Sequence, residues 1–479
     1  MHNKNKTLKK EKIKGEFMVK SRQIDMTSGP LLKNLILFAL PIVGINVLQI
    51  LFNAADVAVL GIFASDQAVA AVGSTTSLVN LFVGFFVGLS LSANVLVARS
   101  IGANDEESTK RYIGTSVFAS IIFGVILSVI GIIFSRTFLV WINCPENILD
   151  MATKYMQIYF LGMPIIMLYN FSAAIMRAVG DTIRPLIYLV IGGVLNLLLN
   201  VFFIIVLKKD VEGVAIATVA SQGVTAVLSL IVLAKGIGFA KLEKKHFRIY
   251  KKEFKMIMHI GLPTGLQRSM FSISNVVLVS TLNSFGDLVV AGNTIGHQFD
   301  AIIHDATDAF ASSALSFISQ NVGAKNFKRI WLIVYESLFL TFAVGMSLGI
   351  IAVIFAPQLC GIMSNSPEVI SYGVARIKAM GVYFFLTGTF NVFSNVLRAI
   401  GKPTIAMLAS ILTTVVFRLF WVYVIFPINP TLSTYYAVYP ISWLLCTIFT
   451  GVLAIPLLKK MQRKYELGLK QEQNINTQH

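Results

Sequence analysis

Long apolar runs, separated by short polar stretches, fill the chain from about residue 33 to residue 456. They lack the period-2 alternation of a barrel strand. At about 1.5 Å per residue, each run is long enough to cross a hydrocarbon core of about 30 Å. A backbone in lipid must satisfy its own hydrogen bonds, so the pattern predicts a bundle of helices. Twelve spans are predicted, at 33–60, 69–98, 112–134, 153–177, 185–207, 212–234, 256–282, 289–318, 331–353, 370–398, 404–426 and 434–456. The first is too long for a signal peptide and is expected to stay in place. Residues 1–27 are Lys-rich without an apolar core and read as a disordered extension; residues 457–479 read as a cytoplasmic tail.

The chain also repeats itself. RSIGA at 99–103 returns as QNVGA at 320–324, and NCPENI at 143–148 as NSPEVI at 365–370. MRAVGDT at 176–182 returns as LRAIGKP at 397–403, and the ALP ending at Pro41 as the GLP ending at Pro263. Every offset is 221 or 222 residues. The expected fold is therefore an all-α membrane protein with twelve transmembrane helices in two six-helix lobes. The lobes are residues 28–234 and 256–456, joined by a basic linker at 235–255. Six spans return the chain to its starting side, so the lobes should be related by a pseudo-two-fold axis along the membrane normal. Such a pair suits alternating access around a central cavity.

Composition agrees with the pattern. Of 479 residues 56% are hydrophobic and 13% charged, against about 25% charged in soluble domains, and the mean hydropathy is +0.75. The formal net charge of +17 raises the question of nucleic acid. Its placement points elsewhere: of 40 Lys and Arg, 32 fall in the termini and the even-numbered loops. Six lie in odd-numbered loops (Arg136, Lys154, Lys208, Lys209, Arg376, Lys378), and Arg268 and Arg418 lie within spans. The positive-inside rule then predicts a multi-pass plasma-membrane protein with both termini in the cytoplasm. The basic surface is expected to touch anionic lipid; no nucleic-acid partner is expected, and the chain reads as a monomer. Cys144, Cys360 and Cys446 have no metal-ligand spacing, and their odd number argues against a disulfide framework. No cofactor and no resident metal are expected. The chain has no G-x-x-x-x-G-K-[ST] loop, so ATP is not the direct energy source.

Against this apolar background Asp56 stands out, the one formal charge between Leu35 and Leu60. Asn46, Gln49, Asn53 and Asp56 are spaced 3, 4 and 3, which puts them on one helix face about 80° wide. Span 5 carries Asn196 and Asn200 at i, i+4, and span 6 has Thr218, Ser221, Gln222 and Thr225 on one face. A charge at mid-span costs roughly 2.5–3.5 kcal/mol on the insertion scale, so these faces must point inward. Together they predict an ion site. The alternative is a packing carboxylate, bonded to the asparagines, that never changes state.

A second polar stripe lies in span 8, where His297, Asp300, His304 and Asp308 are spaced 3, 4 and 4 with Asp305 on the flank. The equivalent first-lobe helix has no acid in GSTTSLVNLFVGFFVGLSLSANV. Three readings are open: a cationic-substrate or proton site with His304 switching between carboxylates, a metal site, or a neutralised network. In the last, Arg268 is the acids' partner nearest in sequence. Pro41 and Pro263 sit inside spans 1 and 7, where they remove a backbone bond and either act as hinges or leave a static kink.

At these residues the chain resembles the multidrug and toxic compound extrusion (MATE) family over essentially all of residues 28–457. The carriers are ALPIVGINVLQILFNAADVAVLGIF in span 1, RAVGDT after span 4, GGVLNLLLNVFFI in span 5, GVAIATVASQ in span 6 and ISQNVGA after span 8. The QNVGA and paired RA-x-G motifs look most like its DNA-damage-inducible bacterial and archaeal branch. The resemblance implies an antiporter exporting drugs or other cationic, amphipathic small molecules against an inward proton or sodium gradient. It also implies that Asp56, Asn196, Asn200 and Thr218 form the proton- or cation-binding cluster. Close relatives in the archaeal branch usually have a second aspartate where this chain has Asn200, which puts a two-carboxylate mechanism in doubt. Bending of span 1 is linked to the ion site in this family. The DATD of span 8 is similar to prenyltransferase acidic motifs, but the facing partner motif is missing, so an enzyme is not expected. The rival is a flippase of lipid-linked oligosaccharides, whose cavity usually has several arginines where this chain shows two within its spans.

Overall fold

Each apolar run closes its backbone hydrogen bonds on itself as a helix. The computed structural model describes residues 23–476 apart from Phe239, with side chains as far as residue 468. The first lobe holds α1 (Leu31–Phe63), α2 (Asp66–Gly102), α3 (Glu106–Trp141), α4 in two pieces (Glu146–Leu161 and Met163–Val179), α5 (Ile183–Val206) and α6 (Val211–Lys235). The second repeats the plan with α7 (Lys251–Asn283), α8 (Asp287–Gly323), α9 (Phe327–Ile354), α10 in two pieces (Pro367–Tyr383 and Phe385–Ala399), α11 (Pro403–Ile428) and α12 (Leu432–Asn476). Among the described residues, β pairing is confined to one bridge between Ile237 and Ala240. The helices start where the sequence supplies caps: Ser65, Asp105 and Asn326 each accept a backbone N–H from the first turn of α2, α3 and α9.

Eight of the twelve are long and apolar enough to cross a membrane on those criteria alone. The pieces of α4 and α10 qualify as bent pairs, with angles of 49° and 44°. At α4 the break falls at Gly162, just before Pro164, which has no N–H to give. The remaining two, α7 and α8, have 33 and 37 residues but too many polar side chains to read as apolar spans. The outer surface is strongly apolar, with Trp141 72%, Val452 66% and Leu198 63% exposed, which suits lipid rather than water.

The two six-helix lobes are related by a pseudo-two-fold axis, and the repeated motifs are where they meet. α2 packs against α7, and α8 against both α2 and α1. Phe38 of α1 and Phe317 of α8 stack edge-to-face with ring centres 5.4 Å apart, in a core shared by both lobes. Gln320 donates to the Ala178 carbonyl at 2.7 Å, and Arg99, its counterpart in the repeat, donates to the Ala399 carbonyl. A Cβ on Gly102 would sit 1.8 Å from the Gln320 carbonyl oxygen, and one on Gly323 2.0 Å from that of Arg99. These two glycines let the ends of α2 and α8 cross backbone to backbone. Higher up, a Cβ on Gly88 would sit 2.8 Å from the backbone of α7, whereas one on Gly84 would meet nothing within 4 Å. The lobes close at one end and part above Gly84.

Several sequence boundaries move. The expected disorder of residues 1–27 fails for residues 23–27; residues 1–22 lie outside the described residues. Met26 is fully buried, the Ile24 N–H bonds the Gly180 carbonyl at 3.2 Å, and Asn321 and Arg329 donate to the Met26 carbonyl at 2.9 and 3.0 Å. This short segment therefore ties the two lobes together at the closed end. At the other terminus α12 runs on to Asn476, with Leu458 in the core and Gln462 accepting from Trp331 at 2.9 Å. The linker is held on α3: the Lys110 ammonium, 2.8 Å away, keeps the Glu243 carboxyl below the usual range. Helices α1 and α7 run unbroken through Pro41 and Pro263; the sharp bends lie in α4 and α10 instead.

Because the contacts at Gly102 are with backbone, Gly102→Val is expected to cost about 1–3 kcal/mol through overpacking and to hold the lobes apart. Ser100, 7% exposed, reports this: Ser100→Cys should label with a water-soluble maleimide faster in the valine variant. An unchanged rate contradicts the closure described.

Candidate functional site

The first-lobe residues assemble as a chain of hydrogen bonds. Asn200 donates to an Asp56 carboxylate oxygen at 2.5 Å and lies 3.4 Å from the Asn196 carbonyl oxygen, and Asn196 donates to the Thr218 hydroxyl at 3.3 Å. Asn196 and Asn200 are 6% and 0% exposed, presented side by side by their i, i+4 spacing on α5. The glycine pair of GGVLN explains how the helices come so close. A Cβ on Gly193 would lie 1.9 Å from the Phe52 ring of α1, and one on Gly192 2.4 Å from Thr225 of α6. The side-chain oxygen of Asn200 is buried without a hydrogen-bond partner among the described residues. Tyr155 and Tyr159 of α4 lie within electrostatic reach of Asp56. Sequence reasoning missed both tyrosines, since nothing in an apolar span marks which aromatic faces a charge.

The rest of the α1 polar face does not join this cluster. Asn46 donates across the lobe boundary to the Asp305 carbonyl at 3.2 Å. Gln49 and Asn53 are exposed, with no side-chain hydrogen bond among the described residues.

The second-lobe stripe lines a cavity of about 510 Å³, with His297, Asp300, His304, Asp305, Asp308 and Arg268 all in its wall. None of Asp56, Asn196, Asn200 and Thr218 lines it. Asp300 is ion-paired, but to Arg376 at 2.7 Å and not to Arg268. Arg376 also donates to Asn293 at 2.5 Å. It is 4% exposed inside the first piece of α10, which corrects its placement in a loop; its signal was a cation inside the span drawn from residue 370. Further along, Thr307 meets Thr387 at 3.3 Å, Asn391 donates to Asp308 at 3.1 Å and Asn395 to the Ala311 carbonyl at 2.7 Å. The stripe is thus partly a structural zipper between α8 and α10. His304 and Asp305 pair at 3.3 Å and stay partly open to the cavity. Arg398 and Arg418 line it as well, so the cavity has four arginines where the sequence reading found two within spans.

The MatE family model matches residues 41–202 and again residues 263–424, two copies 222 residues apart that together take in most of both lobes. The chain belongs to the MatE family. Among curated MatE relatives, the probable multidrug resistance protein YoeA of Bacillus subtilis is 26% identical over 79% of this chain and 84% of its own length. The FAD transporter of Shewanella oneidensis is 24% identical, covering 82% and 88%. Among solved structures, a MOP-superfamily transporter from Pyrococcus furiosus has a TM-score of 0.85 at 21% identity, over 92% of this chain and 99% of that one. A MATE transporter solved in an outward-facing conformation has the same TM-score, identity and coverage. A MatE chain is a multi-pass membrane transporter of the multidrug efflux kind and not an enzyme.

In this MatE chain the Asp300–Arg376 pair is buried on both sides, so breaking it leaves a buried charge alone. Arg376→Gln is expected to destabilise the protein by about 3–5 kcal/mol, and adding Asp300→Asn to restore most of that. Unfolding in detergent measures both; strictly additive losses contradict the pairing.

Proposed function

We propose that the protein is a secondary antiporter that exports amphipathic small molecules in exchange for protons or sodium by alternating access. The observation that carries this reading is the 2.5 Å bond from Asn200 to Asp56 inside an apolar lobe. A carboxylate placed there has to be neutralised or partnered, and the cluster offers both routes. The carboxylate can take a proton. It can instead join the partnerless side-chain oxygen of Asn200 as ligands for sodium, a hard cation that favours oxygen donors. The second-lobe cavity serves as the cargo site, and the names of the relatives, multidrug resistance and FAD transport, set the scale of the cargo as organic molecules.

In the proposed cycle Asp56 receives its ion from outside. Loss of its charge alters the packing of α1 on α5 and α6, shifts the balance between lobe arrangements and releases cargo outward. Both termini and the closed end then face the cytoplasm, as the basic loops favour. One charge moving through about 100 mV supplies about 2.3 kcal/mol, enough for roughly a fifty-fold gradient. A lipid-linked-oligosaccharide flippase is the second reading, favoured by the four arginines of the cavity wall.

The test uses liposomes holding the full chain, with rhodamine 123 and fluorescein followed separately under imposed proton and sodium gradients. One gradient is expected to drive movement of a dye, and Asp56→Asn to reduce it to the passive leak. Gradient-driven movement that survives in Asp56→Asn, or movement of neither dye under either gradient, contradicts the reading.

A further inference from the structure

The charges around the second-lobe cavity do not balance. Arg268, Arg376, Arg398 and Arg418 face Asp300, Asp305 and Asp308. Each carboxylate already has a partner: Arg376 at 2.7 Å for Asp300, His304 at 3.3 Å for Asp305 and the Asn391 amide at 3.1 Å for Asp308. Among the described residues, only Arg376 of the four guanidiniums is ion-paired to a carboxylate.

Arg398 and Arg418 find their hydrogen bonds on neutral groups. Arg398 is 7% exposed, donates to Asn395 at 2.5 Å and Gln267 at 2.8 Å, and keeps a buried Nε with no partner. Arg418, also 7% exposed, donates to Ser442 at 3.1 Å and Asn275 at 3.2 Å and lies 5.1 Å from the centre of the Tyr439 ring. Arg268 makes no ion pair among the described residues and lies within electrostatic reach of Arg398 and of Arg177 from the first lobe. A guanidinium cannot shed its proton. Arg398 and Arg418 are buried and Arg268 is half-buried, none of them ion-paired among the described residues; cations so placed are costly, and an arriving anion relieves that cost.

The geometry points to an organic anion as the cargo of this cavity, its phosphate, sulfonate or carboxylate held by Arg268 and Arg398 and its apolar body against Phe271, Phe384, Phe390 and Trp443. All six residues line the same wall. The inference rests on the reading that this cavity carries the cargo, and it replaces the cation expected from the acidic stripe. Planar guanidinium forks suit the oxygens of such groups. The same chemistry is found on soluble organic anions and on anionic lipid headgroups.

Fluorescein and rhodamine 123 share a xanthene body but carry opposite charge. The full chain in detergent is titrated against each, with dye anisotropy as the readout. Fluorescein is expected to bind at least about tenfold tighter. Arg268→Gln should remove about tenfold of that affinity, and Arg268→Lys should keep most of it. Arg268 is half-buried and makes no side-chain hydrogen bond among the described residues, so the exchange breaks none. Displacement of fluorescein by dihexanoyl phosphatidylglycerol but not by the phosphatidylcholine analogue supports the inference with a lipid headgroup as the source. Displacement by inorganic diphosphate supports it with a soluble anion. Equal or tighter binding of rhodamine 123, binding of neither dye, or an Arg268→Gln variant that still binds fluorescein as wild type overturns it. Gradient-driven movement in liposomes is read separately: transport of rhodamine 123 without fluorescein binding sinks the anion and leaves the antiporter standing. Fluorescein binding with no driven movement of either dye does the reverse.

Discussion

A charge inside a membrane-spanning bundle has to find a partner, because lipid offers none. Much of the internal architecture follows from that constraint. Asp56 is met by an amide of Asn200, Asp300 by Arg376, and Asp308 by Asn391. Each pairing pins one helix to another, so the polar residues that define the sites also set the register of α1 on α5 and of α8 on α10. Where the pairing is between neutral and charged groups, as at Asp56, the charge can be changed without stranding an opposite charge. Where it is a buried ion pair, as at Asp300, removing either side is expensive. The first arrangement suits a switch and the second a fixed strut.

The duplication gives this constraint two different solutions. At the 222-residue spacing of the two family matches, Asp56 corresponds to Leu278, Asn46 to Arg268 and Asn196 to Arg418. The first-lobe carboxylate is replaced by an apolar side chain in the second lobe, and two first-lobe amides are replaced by guanidiniums. The order of helices was kept while the polar residues of the interior diverged. Non-standard backbone accompanies both sites: π-helical turns follow Asn200 at Phe202–Val206 and flank Arg418 at Ile411–Val416 and Trp421–Ile425, where such turns often mark function. What the lobes kept in common is the crossing at Gly102 and Gly323, because both must meet there.

The sequence made a good part of this legible, for physical reasons that differ by residue. Most of the spans follow from hydropathy, α7 and α8 being too polar to stand out as the others do, and the two lobes follow from motifs at a constant offset. Asn200 reaches Asp56 and Asn196 sits beside it because i, i+4 spacing fixes their common face, and the direction of that face is forced by the cost of polar groups in lipid. The partner of Asp300 was not legible. Arg268 is nearer in sequence, but the bend near Phe384 and the register of α10 on α8 decide the matter, and both are tertiary. Arg376 was assigned to a loop because charge near a span end reads as an edge, whereas the bundle folds it inward. The break in α4 had a local signal in Gly162 and Pro164; the one in α10 has no proline at the bend. Residues 23–27 carry no motif, and only the backbone N–H of Ile24 and the carbonyl of Met26 show that they tie the lobes.

The central claim is that neutralising Asp56 moves one lobe relative to the other. It is tested most directly by spin labels at Ile62→Cys and Leu288→Cys, on exposed positions of the two lobes, with Cys144, Cys360 and Cys446 replaced by serine. Inter-label distances would be measured by electron double resonance at high and low pH, and with and without sodium. The account predicts that one of these ions shifts the distance distribution and that Asp56→Asn holds a single distribution whatever the ion. A shift of equal size in Asp56→Asn would contradict it.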